Sequence, residues 1–314
     1  MKGVQRSFAI VLVAVWMAFA ICSRDTVAGT LRVVRTIELP AGTDCVYDLA
    51  WDGQHLWAHL DGSFGEYGVR WRRYQLDPAD GSAVSFTPVQ PFWMSAAAWD
   101  GSSLWMAELY PGGGPYPPGG DAPDYIHRLA PDGTLLETFE LPHSPDGAIS
   151  GATWDGSSLW LLDPYRKELL RMDPSDMSVL GSFSLPPEAG PTTGLTWDGE
   201  SLWTVAHGGH QIYQLSAAGD VLDIWTVEDV SFADSAASGL TFDGEHLWLG
   251  TSRRFGPVLM SWPPSPPIVF PARLYQLAVP EPSTLSLLGV AAVVGFYLVS
   301  CRRRHNRAIC AKHE

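Results

Sequence analysis

The chain has 314 residues, 46% of them apolar, and a formal charge of −14 at pH 7. Residues 29–280 carry 12 Lys and Arg against 31 Asp and Glu, so the body repels phosphate backbones and anionic headgroups; a nucleic-acid role is excluded, and cations or basic partners suit it better. Of four cysteines, only Cys45 lies outside the terminal segments, which leaves no disulfide inside the body and a thiol read as packed in a loop before a strand.

Residues 1–28 begin with Lys2 and Arg6, run apolar from Phe8 to Cys22 and turn polar at Ser23, Arg24 and Asp25. A basic start, an apolar stretch and a polar exit make a secretory signal peptide, with Thr26 and Ala28 as the small residues for cleavage after Ala28. A site nearer Cys22 is the alternative.

From there the chain repeats one phrase, W-D-G-x-x-L-W. It spans Trp51 to Trp57, Trp99 to Trp105, Trp154 to Trp160, Trp197 to Trp203 and, with Phe first, Phe242 to Trp248; the starts lie 48, 55, 43 and 45 residues apart. Periods of this length mark a stacked or radial repeat. Small residues precede each phrase, as in Ser95 to Ala98 and Ser150 to Thr153, and fit an innermost strand crowding an axis. A third strand follows each one: Tyr74-Gln75-Leu76, His127-Arg128-Leu129, Leu170-Arg171-Met172, Tyr213-Gln214-Leu215 and Tyr275-Gln276-Leu277. Four of these meet a turn and a closing strand, such as Glu137 to Pro142 and Gly181 to Pro186. Four short strands per period, joined by Asp-Gly and Pro turns, describe a propeller blade.

The fifth Y-Q-L strand has no closer, whereas Val33 to Pro40 reads as a fourth strand with no blade before it. Pairing the two closes the ring and removes an open edge. The expected fold is all-β, a five-bladed β-propeller over residues 31–278 whose N-terminal strand closes the last blade. The motif Trp residues are expected to pack between blades.

Propeller geometry sorts the connections onto two faces. Asp-Gly and Asp-Pro turns repeat on one; the connections His59 to Trp71, Glu108 to Asp124 and Gly250 to Pro271 on the other are long and dissimilar, the usual mark of functional loops. The site is therefore expected at that mouth of the axial channel. Asp48, Glu108 and Asp163 are the candidates for general acid and base. Asp44, Trp93, His143, Asp146, His207, His210 and Asp234 are the candidates for ligand binding, Trp93 by stacking on a sugar. Each has a plainer reading as a solubilising, packing or turn residue. His207-Gly208-Gly209-His210 lacks a third ligand, so no metal site is assigned; calcium, held through oxygen, is the one cofactor the acidic loops suit.

At the C-terminus, Val279-Pro280-Glu281-Pro282-Ser283-Thr284 precedes an apolar run and then Cys301-Arg302-Arg303-Arg304. The run reads as a transmembrane helix over 285–301, with flanking residues reaching the roughly 20 needed, and the basic end stays cytoplasmic. Residues 279–307 resemble the PEP-CTERM sorting signal of bacterial exported proteins. That resemblance implies an exosortase as partner, a transient membrane anchor, and delivery to the cell surface or an extracellular matrix with exopolysaccharide or matrix proteins as partners. The tail 308–314 goes beyond the usual pattern.

The repeated G-L-T-W-D-G-x-x-L-W and Y-Q-L-D-P of residues 31–278 are similar to glutamine-cyclotransferase-type propellers, which form pyroglutamate from N-terminal glutamine. The likeness rests on blade-building residues, and no catalytic position of that family carries over. Two functions follow as expectations: a surface-sorted binding or scaffold module first, and a cyclotransferase, hydrolase or lyase with carboxylates at the channel mouth second.

Overall fold

The described residues of the computed structural model are 29–39, 43–62, 71–88, 93–110, 125–141, 149–164, 166–185, 189, 192–206, 211–228, 230, 235–253 and 272–279. Among them are twenty strands and no helix. Residues 1–278 form one compact unit and 279–314 another; the leader and the sorting segment beyond Val279 lie outside the described residues.

Strands follow in sets of four. β2 (Thr43–Trp51), β3 (Leu56–Gly62), β4 (Trp71–Leu76) and β5 (Ala83–Pro88) make repeat 1, and β6 (Trp93–Trp99), β7 (Leu104–Tyr110), β8 (Tyr125–Leu129) and β9 (Leu135–Glu140) repeat 2. Repeat 3 is β10 (Gly151–Trp154), β11 (Leu159–Asp163), β12 (Glu168–Met172) and β13 (Val179–Ser184); repeat 4 is β14 (Thr192–Trp197), β15 (Leu202–Ala206), β16 (Gln211–Leu215) and β17 (Val221–Val227). β18 (Ser235–Phe242), β19 (His246–Arg253) and β20 (Arg273–Ala278) complete their sheet with β1 (Gly29–Glu38) from the other end of the chain. The innermost strands touch in a cycle, β2 to β6, β10, β14, β18 and back to β2. The result is an all-β, propeller-like ring.

The expected closure is present: Arg32–Glu38 run antiparallel to Arg273–Ala278, and Arg273 donates to Glu38 Oε1 at 2.9 Å. A second pairing was not foreseen. Gly29, Thr30 and Leu31 add in parallel to Trp225, Thr226 and Val227 of β17, so β1 joins the outer edges of repeats 4 and 5 in one eight-stranded sheet. Strands are also longer than the hydrophobic pattern suggests. Cys45 lies inside β2 rather than in a loop before it, and His59 and Glu108 are strand residues, not loop residues.

Apolar seams fill the space between adjacent repeats, each built around a motif Trp: Trp248 between repeats 5 and 1, Trp57 between 1 and 2, Trp105 between 2 and 3, Trp160 between 3 and 4. Second strands are covered on both sides, hence the wholly buried Leu159–Asp163 and Leu202–Ala206. Fourth strands keep a face in water, and Val34, Val84, Leu136, Leu180 and Leu222 are exposed there.

The motif Asp explains the rest of the phrase. In repeat 3 the amides of Ser157 and Ser158 donate to Asp155 Oδ1 at 2.8 and 2.7 Å, while the Trp160 indole N–H donates to Oδ2 at 2.7 Å. Asp52, Asp100, Asp198 and Asp243 accept the same three donors, with indole bonds of 2.6 to 2.9 Å. The following Gly takes a φ of 94 to 103°, a conformation other residues resist. One side chain thus shapes the hairpin and aims the Trp into the seam.

Burial alone would raise the carboxyls of Asp52, Asp100 and Asp155, but the turn amides and neighbouring side chains outweigh it and hold all three below the ordinary range. Folded carboxyls that titrate lower than unfolded ones, at about 3.9, stabilise fully above about pH 4, and this is lost as pH falls through the folded values. Asp155→Asn turns an amide NH2 toward the indole N–H. It should cost about 1–3 kcal/mol, lower Tm by ~2–4 °C per kcal/mol and reduce the loss of stability on acidification. Melting curves between pH 2.5 and 7 check this.

Candidate functional site

Polar residues that break the repeat pattern mark two places. The first is the axis. Three residues before the motif aromatic stand Ala96, Gly151, Gly194 and Gly239 in repeats 2 to 5, but Asp48 in repeat 1. A Cβ at Gly194 would lie 2.6 Å from Leu240 N, and one at Gly239 2.9 Å from Asp48 Cα, so the three glycines leave no room for a side chain. Of the five residues at this position only Asp48 carries a polar side chain. Its Oδ1 accepts the Leu49 amide and its Oδ2 the Ala97 amide, each at 2.9 Å. The side chain is fully buried. Burial pushes its carboxyl well above the usual range, against the pull of the Ala97, Leu49, Leu240 and Ala152 amides. Toward the Asp-Gly turns, a cavity of about 90 Å³ begins at Leu49, Ala97, Ala152 and Leu195 and is rimmed by Trp51, Trp99, Trp154, Trp197 and Phe242.

The second place is the seam between repeats 1 and 2. Register pairs His59 with Arg73, where the other repeats pair Ala107 with Ile126, Leu162 with Leu169, Val205 with Ile212 and Gly250 with Leu274. Strand alternation puts His59 on the face of Trp57 and Glu108 on the face of Met106, and Trp57 and Met106 share this seam. Arg73 reaches across, with Nη1 3.5 Å from Met106 Sδ and its guanidinium 5.7 Å from the Trp57 ring. Opposite Met106 is His127, with Nε2 3.2 Å from Glu108 Oε2 and Nδ1 3.0 Å from Thr138 Oγ1. A neutral ring satisfies both contacts by donating to Glu108 and accepting from Thr138. All four charged or titratable side chains are at least nine-tenths buried. Two of their atoms have no hydrogen-bond partner among the described residues, Glu108 Oε1 and Arg73 Nε. Chemically the Glu108–His127 pair is a general-base or hydrogen-bonding arrangement, a carboxylate oxygen backed by an imidazole.

Asp163, the third candidate acid, closes its own turn. Its Oδ1 accepts the Arg166 amide at 2.9 Å, and the Arg166 guanidinium lies 4.0 Å from Oδ2. The three candidates thus occupy an axis, a seam and a turn. Asp44 and Trp93 fall on β2 and β6, with their side chains outside the described part; His143, Asp146, His207, His210 and Asp234 lie outside the described residues. Among the described residues no three His, Cys, Asp or Glu side chains gather as a metal site. His59, Arg73 and His127 were not among the expected site residues, although each stands out when the five repeats are aligned.

A cycle of four-stranded repeats about a common axis defines a β-propeller-like protein. Residues 278–304 match the PEP-CTERM protein-sorting motif, which marks an exported, envelope-associated protein. No curated protein matches the chain in sequence. Among solved structures it is similar to the glutaminyl cyclase of Myxococcus xanthus, with a TM-score of 0.57 and 12% identity over 81% of this chain and 100% of that one. It is also similar to a protein of unknown function from Bacteroides caccae, with a TM-score of 0.42 and 13% identity over 67% and 72%. At 12% identity the first likeness is one of fold.

His59 supplies a pH test of the seam. Burial first, and the Arg73 charge second, lower its pKa to about 3, while the unfolded chain binds that proton near pH 6.5. The unfolded state therefore takes up more protons between those values, and stability falls as pH drops from about 6.5 toward 3. Burial also brings Arg73 down to about 10, against the opposing pull of Asp132. His59→Gln should flatten the Tm profile between pH 4.5 and 6.5, a range above the motif carboxyls; an unchanged slope would assign the dependence elsewhere.

Proposed function

We propose that the chain is a five-bladed β-propeller over residues 31–278, exported by the leader at 1–28 and handed to an exosortase through Pro280, Glu281 and Pro282. The 285–301 helix and Arg302, Arg303 and Arg304 hold it transiently in the membrane, and the body then serves as a binding or scaffold module in the envelope or extracellular matrix. The sorting motif at 278–304 carries this reading, because it ties the body's destination to a surface where exopolysaccharide and matrix proteins are the available partners. The separate surroundings of Asp48, Glu108 and Asp163 support binding over catalysis by a carboxylate pair. Ligand recognition belongs to the face opposite the Asp-Gly turns, where the repeats differ.

One observation favours a second reading, a propeller enzyme of the glutaminyl-peptide cyclotransferase or hydrolase and lyase type. Glu108 presents a buried oxygen that has no hydrogen-bond partner among the described residues, backed by His127, as a general base would.

Thermal shift of the full chain against calcium, matrix polysaccharides and glutaminyl peptides separates the two. Binding to the folded state stabilises it by an amount that grows with the logarithm of ligand excess, about 2.7 kcal/mol at a hundredfold over Kd, and so raises Tm. The binding reading expects a saturable shift with a polysaccharide or matrix peptide and no product. Cyclisation of a glutaminyl peptide that Glu108→Gln abolishes at unchanged Tm would replace it with the second. Sorting has its own check: deleting Pro280 to Pro282 should leave the protein in the membrane fraction, and undiminished release would remove the exosortase step.

A further inference from the structure

We propose that the propeller axis is a receptor for one small carboxylate, which the chain occupies from within by Asp48. The Asp48 carboxyl accepts the amides of Leu49 and Ala97, from two repeats, one on each oxygen at 2.9 Å, and those of Ala152 and Leu240, from two more, lie near enough to favour its charged form. Leu195 holds the same position in the remaining repeat, directly after Gly194. Convergent backbone N–H groups make an anion-binding concavity wherever they occur, and here the cyclic packing of the inner strands creates it.

The repeat pattern shows that the receptor does not depend on the side chain that fills it. Gly occupies the corresponding position in three repeats and Ala in the fourth. A side chain placed at Gly151 would sit 2.7 Å from Leu195 N, and one at Gly194 2.6 Å from Leu240 N. The centre therefore admits one carboxylate, and Asp48 excludes any other. The cavity of about 90 Å³ on the Asp-Gly side begins at Leu49 and Ala97, whose amides bind Asp48, and at Ala152. Removing the Asp48 side chain should extend that cavity down to the amides and leave a vacancy for formate or acetate.

The inference is independent of what the outer face binds. Its test uses the full chain and its Asp48→Gly and Asp48→Asn variants, melted at pH 7 with increasing formate or with a bulky sulfonate at equal ionic strength. Asp48→Gly is expected to melt ~5 °C or more below the parent, as loss of several buried hydrogen bonds would require. Formate should restore at least half of that difference with saturation, and the sulfonate none of it. Asp48→Asn fills the hole with a neutral group. It should melt below the parent and ignore formate. Should Asp48→Gly not fold alone, refolding from denaturant with and without formate replaces the melt, with recovery expected only in its presence. The proposal is overturned if Asp48→Gly melts like the parent, if formate acts no better than the sulfonate, if the parent gains as much from formate as the variant does, if Asp48→Asn melts like the parent or responds to formate, or if refolding fails equally with and without formate.

Discussion

A carboxylate that accepts two turn amides on one oxygen and an indole N–H on the other is the interaction on which this ring depends. Without it the Asp-Gly hairpin has no fixed geometry, and the Trp four residues beyond the Gly has no reason to lie flat in the seam. The three bonds differ in kind. The two amide bonds are local and shape the backbone, whereas the indole bond links that backbone to a buried ring which packs on the next repeat. Satisfying the Trp N–H is what makes full burial of so large a side chain tolerable, since an unpaired buried donor costs about 1–3 kcal/mol. Five repetitions turn a turn motif into a rule for assembly: each repeat brings its own wedge, already aimed.

Against that uniform background, the polar exceptions carry the information. Seams elsewhere are apolar at the position of His59 and Arg73, and a buried imidazole beside a guanidinium adds no packing that Leu162 and Leu169 do not supply in repeat 3. Such a pair persists in a core when its polarity is used, or when each of its members is fully hydrogen-bonded. Glu108 Oε1 and Arg73 Nε have no hydrogen-bond partner among the described residues. Asp48 is the opposite case, a buried carboxyl with a backbone donor on each oxygen.

Most of the architecture was legible in the sequence because the repeat states it five times. W-D-G-x-x-L-W located every inner hairpin, and the orphan strand from Val33 found its partner in β20 by elimination. The parallel pairing of Gly29 to Leu31 with β17 was not legible: three residues carry no periodicity, and an outer edge accepts a strand in either direction. Asp48 was singled out as an acid at the channel mouth, and the structure buries it on the axis. Strand alternation distinguishes two faces, and the axis of a propeller lies on neither; it lies on the hydrogen-bonding edge of the innermost strand. His59 and Glu108 were assigned to long connections because the apolar pattern stops before the strand does. An alignment of the five repeats by column, with His59 over Ala107, Leu162, Val205 and Gly250, carries the signal that a linear reading passes over.

The way β1 is used also sets the order in which the molecule can form. Glu38 and Arg273 are 235 positions apart, so the last ladder of the ring joins the earliest strand of the body to its latest. Contacts this distant along the chain form late, because the closing loop must be ordered first. A chain crossing a membrane N-terminus first has β1 outside long before β20 arrives. Until β20 is made, the edge of β1 that pairs with Arg273–Ala278 has no partner in the chain. Ala278 is also the first residue of the sorting-motif match, so the ring cannot close before the chain has been made up to its sorting address.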